Sequence, residues 1–283
     1  MTIASAPHPW SGVVAAMATK HGKERQFGPA LVRALDVDLI VAAVDTDRLG
    51  TFTPEVEREG TALDTLRRKA RWAMSHTDAR FGVASEGSFG PHPELPFLAA
   101  GVELAVFIDG REGIEVVEQL VCTDTNFSHV VVDNPEIPEA FLTSVGFPGH
   151  AVIISSGPGL HPVAKGVQDR AVLSDALASC VAAGGHALIQ SDMRAHLNPT
   201  RQRALTELAE RLAIRLVNRC PDCGVGGWGV VDLEKGLPCE WCGQPTELVA
   251  AERFGCADTR CGHSETMSRS GHAPAGSCHR CNP

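Results

Sequence analysis

The stretch that decides the C-terminal fold is Cys220-Pro-Asp-Cys223-Gly, followed by Cys239-Glu-Trp-Cys242-Gly, with fifteen residues between Cys223 and Cys239. Cys-x2-Cys followed by glycine is typical of a zinc knuckle, because the tight turn aims two thiolates at one ion and glycine supplies the permissive backbone. We predict that these two knuckles, joined by a short hairpin at residues 228–232, complete one tetrahedral zinc site.

Four more cysteines follow and predict a second zinc site: Cys256, Cys261, Cys278 and Cys281. The first pair of this group is spaced more loosely, so His263, His272 or His279 could replace a thiolate. An interleaved pairing of the knuckles would use the same eight ligands and stays open at this point. Disulfides, a redox pair or an iron–sulfur cluster are competing interpretations of the same cysteines.

The role expected for both zinc ions is structural. Neither ligand set leaves an obvious open coordination position. A segment of this size also buries too little apolar surface to be stable without a cross-link such as a bound metal ion. From Arg219 onward the chain has six Lys/Arg against eight Asp/Glu, which disfavours a general nucleic-acid surface. Protein contact, or packing against the rest of the chain, fits better.

Cys122 and Cys180 are isolated and are expected to be small core residues.

Length and composition predict one large domain and a small appended one. We place an N-terminal extension at residues 1–11, an α/β domain at 12–217 and the zinc-binding domain at 218–283. Hydrophobic residues make up 43% of the 283, enough for a packed core. The formal charge of −9 becomes about −13 with two four-thiolate zinc sites. Such an acidic chain is a poor candidate for binding phosphate backbones or anionic membranes.

The chain shows no targeting or membrane signal. No apolar run reaches the roughly 18 residues that a membrane span needs. Residues 1–10 lack the basic-then-apolar pattern of a signal peptide. We therefore expect a soluble cytoplasmic protein, in which clustered cysteines are more often metal ligands than disulfides.

Apolar strand-like runs alternate with helical patterns through the body of the chain. Strands are predicted near residues 13–17, 37–44, 81–84, 104–109, 115–122, 151–155 and 186–190. Helices are predicted from about residue 24 to 35 and at residues 59–74, 174–183 and 200–217. This alternation predicts an α/β fold with a mixed central sheet flanked by helices.

The first candidate site is the loop Thr19-Lys20-His21-Gly22-Lys23, between a strand and a helix. Backbone amides at a helix start, with lysines nearby, attract anions and most often phosphate. A solvated basic loop is the competing interpretation.

Two carboxylates are candidate magnesium ligands. Glu86 lies in the Gly-rich stretch Ser85-Glu86-Gly87-Ser88, at a strand end where α/β proteins place their ligands. It could bind Mg²⁺ or activate water, or it could cap a turn. Asp64 lies in the first turns of a helix and could bind metal or only favour the helix N-terminus through its charge.

A later polar stretch, residues 191–201, comes just before a helix and includes Arg194, His196 and Arg201 as candidate ligand contacts. The competing interpretation is a solvated loop, with Asn198 and Thr200 as capping residues. Lys165, followed by Gly166, is a weaker binding candidate.

Together these motifs resemble the house-cleaning inosine/xanthosine triphosphate pyrophosphatases. Their phosphate loop is similar to residues 19–23, and their Gly-Thr-x-x-Glu-Asn-Ala-x-x-Lys-Ala helix start is similar to residues 60–70. Their acidic strand-end turn is similar to residues 86–89. Fainter similarities lie at 146–150, for a Gly-Phe-Gly-Tyr-Asp-Pro turn, and at His196 and Arg201, for a Ser-His-Arg helix start. The resemblance spans about residues 12–217. The full layout with its zinc tail also resembles an uncharacterised bacterial family.

The resemblance implies an Mg²⁺-dependent hydrolase that attacks between the α and β phosphates and releases pyrophosphate. Lys23, Thr19 and the loop amides would bind the triphosphate, and Asp64 and Glu86 would hold Mg²⁺ and activate water. It also implies a homodimer. Here Lys20 replaces the loop Asn, Asp64 shortens a metal-binding Glu, and Ser85-Glu86 replaces paired aspartates. Two alternatives therefore stay open: a non-catalytic nucleotide- or nucleic-acid-binding protein, and an enzyme for another phosphorylated or nucleoside-like substrate.

Overall fold

The computed structural model describes residues 8–46, 60–156 and 161–282, which form three sheets and five α-helices. The strands of the first two sheets are β1 (Val14–Ala18), β2 (Asp38–Ala42), β3 (Phe81–Pro91), β4 (Ala99–Asp109), β5 (Ile114–Cys122), β6 (His129–Val132), β7 (Val152–Ser156), β8 (His161–Val167) and β9 (Ala187–Ser191). The helices are α1 (Glu24–Leu35), α2 (Ala62–Thr77), α3 (Glu139–Val145), α4 (Arg170–Gly184) and α5 (Pro199–Val217).

The first sheet has five strands in the order β2-β1-β3-β4-β5. Strand β1 runs parallel to β2 and β3, whereas β3, β4 and β5 are antiparallel. Helices α1 and α5 cover one face through a core that includes Phe27, Leu31, Phe107 and Leu208, and α2 covers the other face. The predicted mixed α/β sheet with flanking helices is thereby confirmed in its general form.

The second sheet is antiparallel, in the order β6-β9-β7-β8. Its core is formed with α3 and α4 and includes Leu142, Ile154, Leu173 and Ile189. Strands β6 and β8 were not predicted. The two sheets meet where Asn198, at the start of α5, donates to Asn126 Oδ1 at 2.9 Å and to the carbonyl of Asp192 at 3.1 Å.

The C-terminal segment forms a third sheet, in which β10 (Gly229–Lys235), β11 (Val249–Gly255) and β12 (Ser264–Ser268) are antiparallel neighbours. This segment packs on the body, where Val225 and Ala257 contact the core between α5 and the first sheet. Among the described residues, no helix is both long and apolar enough to cross a membrane.

Candidate active site and metal centres

Five charged side chains come together where β1 ends beside β3. Lys23, Lys69, Glu86, Glu103 and Arg201 are each at most 8% exposed. They come from five different elements: the start of α1, helix α2, strands β3 and β4, and helix α5. We call these five residues the charged cluster. Its three cations exceed its two carboxylates by one charge.

Two ion pairs account for four members of the charged cluster. Lys69 Nζ lies 2.6 Å from Glu86 Oε2. Arg201 holds Glu103 with two hydrogen bonds, Nε to Oε1 at 2.6 Å and one terminal nitrogen to Oε2 at 3.1 Å. The guanidinium also lies 5.0 Å from the ring centre of Phe89. A charge-assisted bidentate pair of this kind fixes Arg201 against β4.

Lys23 is the fifth member and supplies the surplus charge. Its ammonium donates to the carbonyl of Ser85 at 3.0 Å, next to Glu86 in the chain. Burial, followed by the positive charge of Arg201, lowers the pKa of Lys23 to about 7. Glu103 and Glu86 oppose this change without cancelling it. Near neutral pH the charged and neutral forms of this side chain are therefore comparably populated.

The loop before α1 is organised by its own hydroxyl. Thr19 Oγ1 accepts from the backbone N–H of His21 at 3.4 Å and of Lys23 at 3.2 Å, and Gly22 adopts a positive φ of 70°. Two amides predicted to bind phosphate are thus already engaged within the loop. Lys20 is exposed and pairs with Asp45 at 3.0 Å.

The predicted magnesium pair has a different arrangement from the one expected. Asp64 forms a capping box with Thr61, accepting from its N–H at 3.1 Å and its hydroxyl at 2.6 Å. These hydrogen bonds lower the pKa of Asp64. Asp64 thus has a structural role at the start of α2, and Glu86 has Lys69 as a partner; their magnesium roles stay predictions. Both oxygens of Glu103 and one of Glu86 are held by cations, so this donor set does not fit a resident magnesium ion as it stands.

Of the later polar stretch, only Arg201 joins the charged cluster. Arg194 instead forms an ion pair with the fully buried Asp192, in which a terminal guanidinium nitrogen lies 2.6 Å from Oδ2. Asp192 Oδ2 also accepts a hydrogen bond from the backbone N–H of Gly166 at 3.1 Å. These bonds tie β8 to the turn after β9. Lys165, beside Gly166, is an exposed residue of β8.

One contact links the first loop to this stretch. The imidazole rings of His21 and His196 stack with centroids 5.0 Å apart and planes 21° from parallel. Burial and the charge of Arg194 lower the pKa of His196, which favours the neutral ring at neutral pH. Two of the predicted binding residues are therefore neighbours at the mouth of the first loop.

Two members of the charged cluster were not predicted as site residues, Lys69 and Glu103. Lys69 stands in the helix that the sequence singled out, but no role was given to it. Glu103 interrupts the apolar run Val102-Glu103-Leu104-Ala105-Val106. A lone carboxylate in such a strand has to be paired when it is buried, and that signal could have identified it.

The eight C-terminal cysteines form two sets of four, and in each set the Sγ atoms all lie within 4.8 Å of one another. The inner zinc site comprises Cys220, Cys223, Cys256 and Cys261. The outer zinc site comprises Cys239, Cys242, Cys278 and Cys281. The pairing is interleaved, so the predicted joining of Cys220/Cys223 with Cys239/Cys242 is wrong and the interleaved alternative is correct.

The sulfur separations fit zinc. Four thiolates at a zinc–sulfur distance of 2.3 Å around a tetrahedral ion would be about 3.8 Å apart. Cys223 and Cys256 are 3.5 Å apart, and Cys220 and Cys261 are 4.0 Å apart. In the outer zinc site the corresponding distances are 3.6 Å, between Cys242 and Cys278, and 3.9 Å, between Cys239 and Cys281. The two clusters therefore fit two structural zinc sites.

Histidine is not a member of either four-sulfur set. His263, one of the predicted alternatives, instead stacks on Trp228, with ring centroids 5.3 Å apart.

Of the two isolated cysteines, Cys180 is a buried member of the second sheet's core, as predicted. Cys122 is half-buried at the end of β5 and packs against the core of the first sheet.

A family model described as a domain of unknown function (DUF6671) matches residues 69–283. The matched region includes four members of the charged cluster and all eight zinc-site cysteines, and it begins after Lys23 and Asp64. Neither a curated protein nor a solved structure matches the chain significantly.

Proposed function

The chain belongs to this family of domains of unknown function, and from the geometry of its own residues we propose that it is a hydrolase acting on nucleoside triphosphates or related nucleotides. The charged cluster binds the phosphates, and Mg²⁺ is required for turnover. We further propose that the two sheets correspond to the fold of the inosine/xanthosine triphosphate pyrophosphatases. Cleavage falls between the α and β phosphates and yields a monophosphate and pyrophosphate.

The observation that carries the proposal is the unbalanced positive charge of a buried cluster. Burying an ammonium that no carboxylate of its own compensates is costly, so Lys23, whose ammonium is bonded to a carbonyl, is a poor structural element in this buried site. A phosphate group beside Lys23 would supply the missing negative charge and favour the protonated amine. Such tuned lysines at the start of a helix are characteristic of ligand sites.

In the proposed function, Mg²⁺ binds together with the nucleotide and is not held by the chain alone. Magnesium is usually bound by one or two carboxylates together with substrate phosphates, not by a dedicated protein cage. The ion would neutralise phosphate charge, and Glu86 is the carboxylate best placed to contact it after Lys69 turns to a phosphate oxygen. This exchange of partners would let the substrate assemble the site.

The remaining chemistry falls to the chain's own residues. Glu86 orients the attacking water and takes its proton as the new oxygen–phosphorus bond forms at the α phosphate. The bond from that phosphorus to the bridging oxygen breaks, and pyrophosphate leaves with the electron pair. Lys23, Lys69 and Arg201 stabilise the charge that develops on the phosphate oxygens.

The test is pyrophosphate release from a panel of standard and deaminated nucleoside triphosphates with Mg²⁺. We expect Lys23→Ala and Glu86→Gln each to lower turnover by about 10²–10³-fold, as removal of charge-stabilising groups does elsewhere. Lys235→Ala and Glu207→Gln are matched controls, because both residues form exposed ion pairs in other elements. They should leave the rate unchanged.

A second candidate function is binding without catalysis. The observation in its favour is that both carboxylates of the charged cluster are already held by cations, which leaves the site better prepared for anions than for metal. Saturable nucleotide binding that Lys23→Ala abolishes, without release of pyrophosphate from any triphosphate, would establish this function and exclude the hydrolase. Absence of both binding and release in a folded, zinc-loaded sample would contradict both.

A further inference from the structure

The three strands of the C-terminal sheet connect the two zinc sites. Strand β10 runs from the Cys220/Cys223 knuckle toward Cys239, β11 returns from the Cys239/Cys242 knuckle to Cys256, and β12 leads from Cys261 toward Cys278. The ends of the sheet are therefore pinned by different sites. Gly229, Gly255 and Ser264 are in register at the end near the inner zinc site.

The inner zinc site is joined to the body by close packing. A Cβ atom at Gly227 would lie 2.5 Å from a methyl group of Val116 on β5 and 2.9 Å from Ala257. Arg215 of α5 donates from Nε to the carbonyl of Gly227 at 3.2 Å, and Trp228 N–H donates to the carbonyl of Asn218 at 3.1 Å. The chain segments next to the ligands of this site, at residues 227–228 and 257, are thus held against the body.

Among the described residues, the outer zinc site makes far fewer packing contacts with the rest of the chain. Its apolar cluster consists of its own four cysteines and Ala275. Backbone bonds hold the two arms together: Ala273 N–H donates to the carbonyl of Pro238 at 2.8 Å and Glu240 N–H to the carbonyl of Ala273 at 2.9 Å. A contact of 3.9 Å between the exposed side chains of Lys235 and Glu94 links this end to the β3–β4 hairpin, and such pairs contribute little.

Interleaving makes each metal close a loop that contains half of the other site. The inner zinc site joins Cys223 to Cys256 and encloses the outer knuckle Cys239/Cys242, while the outer site joins Cys242 to Cys278 and encloses Cys256 and Cys261. Closing a loop costs chain entropy, and the cost falls when another link already restrains it. The body supplies such a link to the inner zinc site but hardly any to the outer one.

We propose that the two sites load in a fixed hierarchy, in which the inner zinc site forms on the folded body and the outer zinc site can hold its ion only when the inner site is occupied. The dependence is one-sided. Loss of the outer ion frees only the far end of the sheet, whereas loss of the inner ion frees the near ends of β10, β11 and β12 and so removes the restraint that brings the outer ligands together.

The test compares zinc content per chain, by mass spectrometry of the metal, in variants that remove one whole knuckle. Cys239→Ala/Cys242→Ala should retain about one zinc ion, at the inner site. Cys220→Ala/Cys223→Ala should retain far less than one, although the outer ligands are intact. Cys122→Ala is the matched control and should retain two. Equal retention of one ion by both double variants would overturn the hierarchy, as would loss of both ions from the outer-knuckle variant.

A measurement on the unaltered chain guards against misfolding of a variant. Under reducing conditions, a chelator should remove zinc in two phases. Amide-hydrogen exchange should rise first in residues 273–282, around the outer zinc site, and only in the second phase in residues 220–227. Simultaneous release, or earlier exposure of residues 220–227, would overturn the proposal.

Discussion

At the scale of residues, burial of Lys23 in the charged cluster disfavours its protonated form and so lowers the stability of the folded chain. Lys23 is 8% exposed, and burial lowers its pKa from 10.5 to about 7, so the fold disfavours its charged form. A side chain that lowers stability in this way is characteristic of a functional site. The same reasoning does not apply to Arg201 and Glu103, whose charges compensate each other.

The first prediction concerns the stability of Lys23→Met as a function of pH. Below about pH 7 the lysine is charged in both folded and unfolded chains, and its full destabilising effect is present. Between about 7 and 10.5 the folded chain releases the proton first, so the effect shrinks, and above 10.5 it is absent. Lys23→Met should therefore raise the denaturation midpoint more at pH 6 than at pH 10. An equal or reversed difference in urea titrations would contradict the burial argument.

The second prediction concerns the pair between Arg201 and Glu103. Arg201→Ala leaves a carboxylate that is 1% exposed without its bidentate partner and should cost about 3–5 kcal/mol of unfolding free energy. Arg211→Ala on the same helix is the matched control, because its pair with Glu207 is exposed, and it should cost about 0.3–0.5 kcal/mol. The costs are measured by urea unfolding. Similar costs for the two variants would contradict the argument that Glu103 depends on Arg201 for compensation of its buried charge.

At the scale of elements, helix α2 begins at a capping box formed by Thr61 and Asp64. Thr61 accepts from the N–H of Asp64 at 3.1 Å, and Asp64 returns a bond to the N–H of Thr61 at the same distance. Two amides at the helix start are thereby satisfied reciprocally. The carboxylate that the resemblance assigned to magnesium has a sufficient structural role in starting this helix.

The third prediction follows from the capping box. Asp64→Ala and Thr61→Ala should each cost about 0.5–2 kcal/mol, and the double variant should cost less than their sum because the bonds are shared. Both variants should leave nucleotide turnover unchanged at temperatures where they are folded. Loss of turnover in Asp64→Ala but not in Thr61→Ala, measured by pyrophosphate release, would restore Asp64 as a catalytic ligand.

Helices and strands with clear apolar periodicity were predictable from the sequence. Strands whose length or existence depends on pairing with a neighbouring strand were not. The long helix α5 follows from periodic apolar residues, and the second half of β4, predicted at residues 104–109, follows from continuous ones, whereas its first half, from Ala99, was not predicted. Strand β3 was expected to end near residue 84 but continues to Pro91, because β4 pairs with it along its whole length. Strand β6, with four residues, and strand β8, with His161, Pro162 and Lys165, carry too weak a pattern to be separated from loop.

At the scale of the whole molecule, the zinc-binding segment packs against α5 and β5, and we expect it to brace them. The eight ligands were predictable from spacing alone, but their pairing was not, since knuckles joined in sequence and interleaved knuckles use the same cysteines. The three strands between the knuckles decide it, because they carry the chain back and forth between two sites. Similarly, the charged cluster draws on five elements: Lys23, Glu86 and Arg201 were predicted as site residues, Glu103 carried a signal that was not used, and Lys69 carried none of its own.

The fourth prediction concerns removal of both zinc ions. Metal binding supplies folding free energy to small domains, and protons compete with the ion for the ligand thiolates. Chelation under reducing conditions, or acidification, should lower the thermal midpoint and increase amide exchange in residues 219–282. Amides of α2 and β3 should stay protected in comparison. An unchanged midpoint after verified zinc loss would contradict a bracing role.

The most direct test of the central proposal is a structure of the chain with Mg²⁺ and a triphosphate analogue that cannot be cleaved between the α and β phosphates. We predict that the phosphates lie within hydrogen-bonding distance of Lys23 Nζ, and that Lys69 has moved from Glu86 to a phosphate oxygen. Phosphates bound elsewhere, with the Lys69–Glu86 and Arg201–Glu103 pairs unchanged, would contradict it and reduce the charged cluster to a structural feature.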